Sequence, residues 1–420
     1  MSMDLLIKKA SVIDPNSPFH NKQVDIYIKG GKIVEIGNLN IKGVKTIEST
    51  KLCVSPGWLD VNANFCDPGN EHKETLANGI LTAAKGGYTG VVLSPSTQPA
   101  IDSKSSVQYI VNQSANQVVD VFPMGNLSAK GSSKDLSEMY DMQQSGAIAF
   151  SDGKHAISNT ELIKLALLYT KKFESLIVLY SEDPHLANDG MVNEGKASAS
   201  LGLKTRPAIA EEVAIATNLS LLEYTQGRLH LSLVSSAKAV DLIKTAKKNK
   251  LQISADVAVM NLVLNDSATE SFNSNYKVLP PLRDESDRKA LVAGLKSGSI
   301  DFISSNHEPQ NIENKMCEFD QADFGVAIME TAFAALNTYL SKEIELSVLI
   351  EKISIAPRKA FHIDVPTVQV GQKANLTFFD PSLKWEVKAK DLQSMSKNNP
   401  FIGKTLIGKV IGVFNNGKLL

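Results

Sequence analysis

The sequence predicts an α/β protein in which a (β/α)8 TIM barrel carries a small β-sandwich domain built from both ends of the chain. Three observations lead there. Alternating apolar and polar residues fill the first and last fifty or so positions, whereas the middle interleaves short apolar runs with longer helical patterns. The length of 420 residues suits a large barrel with an accessory module, and a hydrophobic fraction of 43% is enough to build its core, which argues against disorder.

At the N-terminus, DLLIKKASVID, QVDIYIKGGKIVEIG and KTIESTKLCVS read as strands, with Gly30-Gly31 as a hairpin turn. The C-terminal segments ANLTFFD, LKWEVKA and KTLIGKVIGVFNNGKLL repeat the pattern and turn at Asn416-Gly417. We therefore expect residues 1–55 and 366–420 to form one β-sandwich and residues 56–365 the barrel. Within the barrel, GVVLSPS (90–96), VVDVFPMG (118–125), GAIAFSDG (146–153) and LIVLYSED (176–183) read as buried parallel strands. RLHLSLVSS (228–236), LQISADVAV (251–259) and SIDFISSNHEP (299–309) continue the series. Helical segments such as ETLANGILTAAKGG and AIAEEVAIATNLSLLEYT lie between them, with apolar residues at i, i+3, i+4 and i+7. The broad apolar face of the second is expected to pack on the barrel. Residues just past the C-terminal ends of barrel strands face the active site, and Asn62, Asn64, Asp152, Tyr180, Leu233 and Asn306 fall there.

Lys plus Arg (44) nearly balances Asp plus Glu (45), so no excess charge draws the chain to nucleic acid or to an anionic membrane. Cys53, Cys66 and Cys317 share no metal-like spacing and cannot make a disulfide framework. With no signal-peptide pattern and no run of membrane-spanning length, the expectation is a soluble, cytoplasmic protein.

Residues 56–69, PGWLDVNANFCDPG, have the frame of a strand end at which binuclear metallohydrolases carry Asp-x-His-x-His, but Asn62 and Asn64 occupy the histidine positions. An amide oxygen is a poor donor to Zn²⁺ beside imidazole, thiolate or carboxylate. Colinear blocks extend the likeness: DPGNEHKETLANGILTAAKGGYT, GKASASLGLKTRPAIAEE, VLPPLRDESDR, GSIDFISSNHEP, FDQADFGVAIMETA and GQKANLTFFDP. On these blocks the whole chain resembles the type I dihydroorotases of the amidohydrolase superfamily.

The resemblance implies a metal-dependent hydrolase barrel with zinc ligands at Asn62, Asn64, Asp152, Tyr180 and Leu233, of which only Asp152 keeps a ligating side chain. It places the catalytic general base at Asn306, where an amide cannot accept a proton. It puts Cys66 where an arginine grips the substrate carboxylate, and Ser96, Leu279, His307 and Gln310 in the substrate pocket. The expectation is accordingly a non-catalytic protein of pyrimidine biosynthesis without a cofactor. By the same resemblance it would be a homodimer and a structural partner of aspartate transcarbamoylase. The alternative is an active cyclic amide hydrolase, acting on dihydroorotate or a hydantoin- or allantoin-like ring, through a site rewired around Asp152 with His307 or His155. Cys66 activated by His307 is a sharper version of that alternative; a small filler is the plainer reading. A sensor that binds a pyrimidine precursor is a third. Arg206 and Arg283 are read as structural ion-pair or subunit-contact residues.

Overall fold

The structure, a computed structural model, describes residues 3–420, so the first two residues of the segment expected at 1–55 lie outside it. Eight short parallel strands make the barrel: Trp58–Ala63, Tyr88–Leu93, Asp120–Pro123, Ala149–Phe150, Leu176–Tyr180, Leu229–Ser232, Ile253–Ala258 and Phe302–Ser304. Bridges from Gly125 to Phe150 and from Ala63 to His307 join the remaining edges and close the ring. Strands buried on both faces must be apolar throughout, and Tyr88–Leu93 and Leu176–Tyr180 are buried at every position. The barrel interior is filled by Leu59, Val61, Val92, Met124, Val178 and Phe302, with Phe361 packed against them.

Helices return the chain after each strand, and their starts are set by side-chain caps. Thr75, Ser103, Asn159, Ser236 and Asp284 each accept a hydrogen bond from a backbone N–H of the first helical turn, satisfying donors that the helix itself leaves unpaired. The helix Leu346–Ala360 packs on the strands Trp58–Ala63 and Phe302–Ser304. No described helix is long and apolar enough to cross a membrane.

The chain ends meet in one eight-stranded sheet. Its order runs Lys418–Leu419, Thr405–Asn415, Leu376–Glu386, Cys53–Pro56, Leu5–Val12, Gln23–Lys29 and Lys32–Gly37, with Lys45–Glu48 also pairing with Leu5–Val12. The sheet curls over a core that includes Leu5, Ile7, Ile26, Ile28, Phe378 and Phe414. KTIESTKLCVS, read as one strand in sequence, is broken at Thr50-Lys51 into Lys45–Glu48 and Cys53–Pro56. Cys53–Pro56 then runs directly into the first barrel strand, where buried Trp58 packs on Phe333 and Phe379 at ring-centroid distances of 4.9 and 5.5 Å.

Candidate site at the barrel mouth

The strand ends that form the mouth are held from below by two buried carboxylates. Asp60 accepts from the backbone N–H of Ser305 at 2.7 Å and from its hydroxyl at 2.5 Å. Burial, the largest influence, pushes the Asp60 carboxyl up to about 6 against the lowering effect of these bonds. Asp256 accepts from the backbone N–H of Leu233 at 2.9 Å, from the Ser304 hydroxyl, and pairs with His230 at 3.0 Å. His230, stacked on Phe302 with centroids 5.1 Å apart, is thereby a buried framework residue. Above these anchors Cys66, Leu233 and Asn306 all adopt left-handed backbone angles, with φ of 61°, 59° and 56°. That conformation costs an L-residue about 1 kcal/mol or more.

Most of the polar side chains at the mouth are engaged by neighbouring groups of the protein. Asn62 donates to the Ser232 hydroxyl at 2.9 Å. The side-chain oxygen of Asn64 accepts from the Cys66 backbone N–H at 2.8 Å. Asp152 accepts from the Ser128 backbone N–H at 3.0 Å on one oxygen and from the Ser128 hydroxyl at 2.5 Å on the other. Tyr180, Leu233 and Ala258 form a buried apolar cluster, against which Ala156 and Leu279 pack. Burial pushes the Tyr180 phenol well above its ordinary value of 10.0, with Glu182 acting in the same sense. Asn306 donates to the Leu279 carbonyl at 3.0 Å, and its own side-chain oxygen is buried without a partner. Across the opening, Lys154 and Glu308 form an ion pair between the loops that follow the fourth and eighth strands.

The pocket positions are likewise occupied with internal contacts. Ser96 bonds the Ser94 hydroxyl at 2.9 Å. Gln310 accepts from Lys73 at 2.7 Å and donates to the Phe324 carbonyl at 2.8 Å. It lines a cleft of about 880 Å³ displaced to the side of the mouth, with Phe272, Ile312, Met316 and Met395. Burial drives His307 down to about 3, with nearby Lys154 adding to the shift, so the ring is neutral. Its Nδ1 accepts from the Met329 backbone N–H at 3.4 Å, while its Nε2 is buried without a partner. Burial and then Glu308 push the Cys66 thiol up to about 12. A neutral imidazole cannot supply the positive field that would lower it, so the two do not make an activated nucleophile.

Comparison with known proteins places the whole chain in one family. The family described as "Dihydro-orotase-like" matches residues 51–239, and the "Amidohydrolase family" matches 212–420. The "Dihydroorotase" of Ruminiclostridium cellulolyticum is 39% identical over 411 residues, covering 97% of this chain and 96% of that protein. The chain belongs to the dihydroorotase-like amidohydrolases. The "Dihydroorotase" of Citrifermentans bemidjiense is 34% identical over 422 residues, covering 100% of this chain and 99% of its own. Among solved structures, the L-hydantoinase of Arthrobacter aurescens superposes with a TM-score of 0.87 at 23% identity, over 100% of this chain and 96% of that one. The dihydropyrimidinase of Brevibacillus agri gives 0.83 at 22% identity, over 99% and 95%. These two fix the amidohydrolase fold.

The family's zinc pair can be tested against the residues present. Two divalent cations need anionic and imidazole donors around them. The dihydroorotase-like mouth offers two amides, a phenol held protonated by burial, a leucine, and one carboxylate engaged by Ser128. Among the described residues no group of three or more His, Cys, Asp or Glu lies together in a way that could hold a metal. His155 is exposed, its ring not part of the buried cluster, and His307 faces Met329. These side chains do not fit the zinc pair. Arg206, which the sequence suggested as structural, pairs with Glu182 and donates to the Gly190 carbonyl at 2.8 Å. Arg283 joins the same buried network through Asn193 at 3.0 Å and the Arg206 carbonyl at 2.7 Å. Sequence reasoning missed Ser128, Lys154 and Glu308. The only cue for Lys154 was its place two residues after Asp152, and Ser128 carried none.

Proposed function

We propose that this dihydroorotase-like protein of pyrimidine metabolism carries out no hydrolysis itself and acts as a structural partner of an aspartate transcarbamoylase. The observation that carries the first half is the apolar cluster of Tyr180, Leu233 and Ala258, which fills the place of two family ligands with side chains that touch each other. Support comes also from Asn306, whose amide cannot serve as a base, and from Cys66, which cannot make an arginine's two-pronged grip on a carboxylate. A protein that keeps the whole family scaffold while its mouth is filled acts through its outer surface. The choice of transferase rests on the family resemblance of the sequence blocks.

The test is in two parts. Purified protein supplied with zinc is assayed for bound metal and for cyclisation of carbamoyl-aspartate; metal well below one ion per chain and no turnover above the blank are expected. Two ions per chain with turnover would refute the silent reading. Co-expression with the aspartate transcarbamoylase of the same cell, followed by affinity capture, is expected to retain the transferase. Its absence from the eluate would remove the partner half and leave the other standing.

A further inference from the structure

The floor of the barrel, on the side opposite the mouth, carries a two-lobed hollow. Its smaller lobe, about 370 Å³, lies where the chain enters the neighbouring strands Leu176–Tyr180, Leu229–Ser232 and Ile253–Ala258, and Lys171, Ser175, Arg228 and His362 line it. Three of these side chains are basic, and among the described residues none of them bonds a carboxylate. Lys171 donates to the Thr225 carbonyl at 3.3 Å, while Arg228 donates to the Glu174 carbonyl at 2.7 Å and to Nε2 of His362 at 2.8 Å. A neutral His362 that accepts there keeps its Nδ1–H free to donate elsewhere. Burial, and for His362 then the charge of Arg228, lowers both groups from their ordinary values, with Glu174 working the other way. Ser175 is 3% exposed, and among the described residues its hydroxyl has no hydrogen-bond partner. Buried polar groups are normally paired, so a lone hydroxyl in the wall of a basic hollow points to an acceptor supplied from outside the chain.

His362 also lines the larger lobe, about 680 Å³, whose walls include Phe122, Ile148 and Phe361. Arg358 stands in the same wall and is 2% exposed. Among the described residues it donates only to neutral oxygens, the Gly57 carbonyl at 3.2 Å, the Thr89 hydroxyl at 3.3 Å and the Asp364 carbonyl at 3.3 Å, and its Nε has no partner. Of the two acids in this lobe, Asp120 is engaged by the amides of Asn415 and Asn416 at 2.9 and 2.8 Å, and Asp364 is exposed. A basic lobe beside an apolar one suits an anion with an organic body. A tetrahedral oxyanion accepts from donors that converge from several sides, as these four do, whereas a carboxylate presents two oxygens in one plane. We propose that the barrel floor binds a phosphate monoester, its phosphate held by Lys171, Ser175, Arg228 and His362 and its organic group laid against Phe122 and Phe361. The inference is independent of what the barrel mouth does.

Titration calorimetry on the full-length protein tests this with inorganic phosphate, phenyl phosphate and benzoate. Inorganic phosphate should saturate a single site per chain, and phenyl phosphate should bind it about tenfold more tightly because its ring is buried. Benzoate, with the ring but without the phosphate, should bind at least about tenfold more weakly than phenyl phosphate. R228Q should weaken phenyl phosphate about tenfold or more through loss of a charge-assisted bond, and S175A should weaken it less. Glu174 is the carboxylate that lines the smaller lobe, so E174Q should tighten binding, an effect that a merely structural role for these residues would not produce. K244Q, on the helix Ala237–Lys248, should change nothing. In the wild type, phenyl phosphate should shield Arg228 from phenylglyoxal, mapped by mass spectrometry, a readout that needs no variant to fold. Absence of saturable binding by both phosphates overturns the proposal, as does benzoate matching phenyl phosphate. A folded R228Q protein of unchanged affinity, or Arg228 labelled equally with and without phenyl phosphate, overturns it as well.

Discussion

Leu233 gives the sharpest test of whether the mouth is sealed. It is 2% exposed, packs on Tyr180, Ala258 and Leu279, and holds a φ of 59° fixed by the bond from its N–H to Asp256. Truncating a buried leucine to alanine removes its transfer energy and leaves a cavity, together about 3 kcal/mol. The left-handed backbone adds a second, oppositely signed expectation. At an ordinary position glycine is about 0.5–1 kcal/mol less stable than alanine, but at this φ alanine keeps a steric penalty that glycine escapes, worth about 1 kcal/mol. L233A should therefore lower the unfolding free energy by about 3 kcal/mol, and L233G should be no worse than L233A. Urea unfolding reads both from the midpoints when the slopes agree. A loss of less than about 1 kcal/mol for L233A would mean that the cluster is loose and the mouth open. A glycine variant clearly weaker than the alanine one would mean that the backbone does not hold its angle.

Two further outcomes follow from buried titrating groups. Burial sets the thiols of Cys53 and Cys66 at about 11 and about 12, while Cys317 is exposed. A thiol-specific disulfide reagent at mildly alkaline pH should thus label only Cys317 quickly in the folded protein, and rapid reaction at Cys66 would contradict its buried, uncharged state. His307 has a folded value near 3 against an ordinary 6.5, so the unfolded chain takes up the proton first. Its contribution to stability is complete above pH 6.5 and is lost as pH falls from there toward 3. Across pH 7 to 4 the urea midpoint of H307Q should fall less steeply than that of the wild type; parallel curves would show that the ring titrates normally.

The barrel was legible because several of its strands, such as Tyr88–Leu93 and Leu176–Tyr180, are buried on both faces and read as short apolar runs between helical patterns. Pairings between distant residues were not. Lys154 and Glu308 stand 154 positions apart, and neither is unusual in its own segment. The break at Thr50-Lys51 was hidden because residues on both sides favour strand. At the mouth, the resemblance singled out Asn62, Asn64, Tyr180, Leu233 and Asn306, but not what those side chains touch. That Tyr180, Leu233 and Leu279 meet depends on two strand ends and a distant loop converging. Gln310, placed in the pocket by resemblance, is instead tied to Lys73 and Phe324, contacts that no local pattern encodes.

Asp60 and Asp256 have a consequence for how such a centre could be refilled. They grip the rim through the backbone N–H groups of Ser305 and Leu233, and both are wholly buried. The outline of the opening is thus cast by the protein alone, and a change of lining need not disturb the mould. Exchanging side chains at 62, 64, 180, 233 and 306 would alter what projects inward while the contour stays where two acids beneath it keep it.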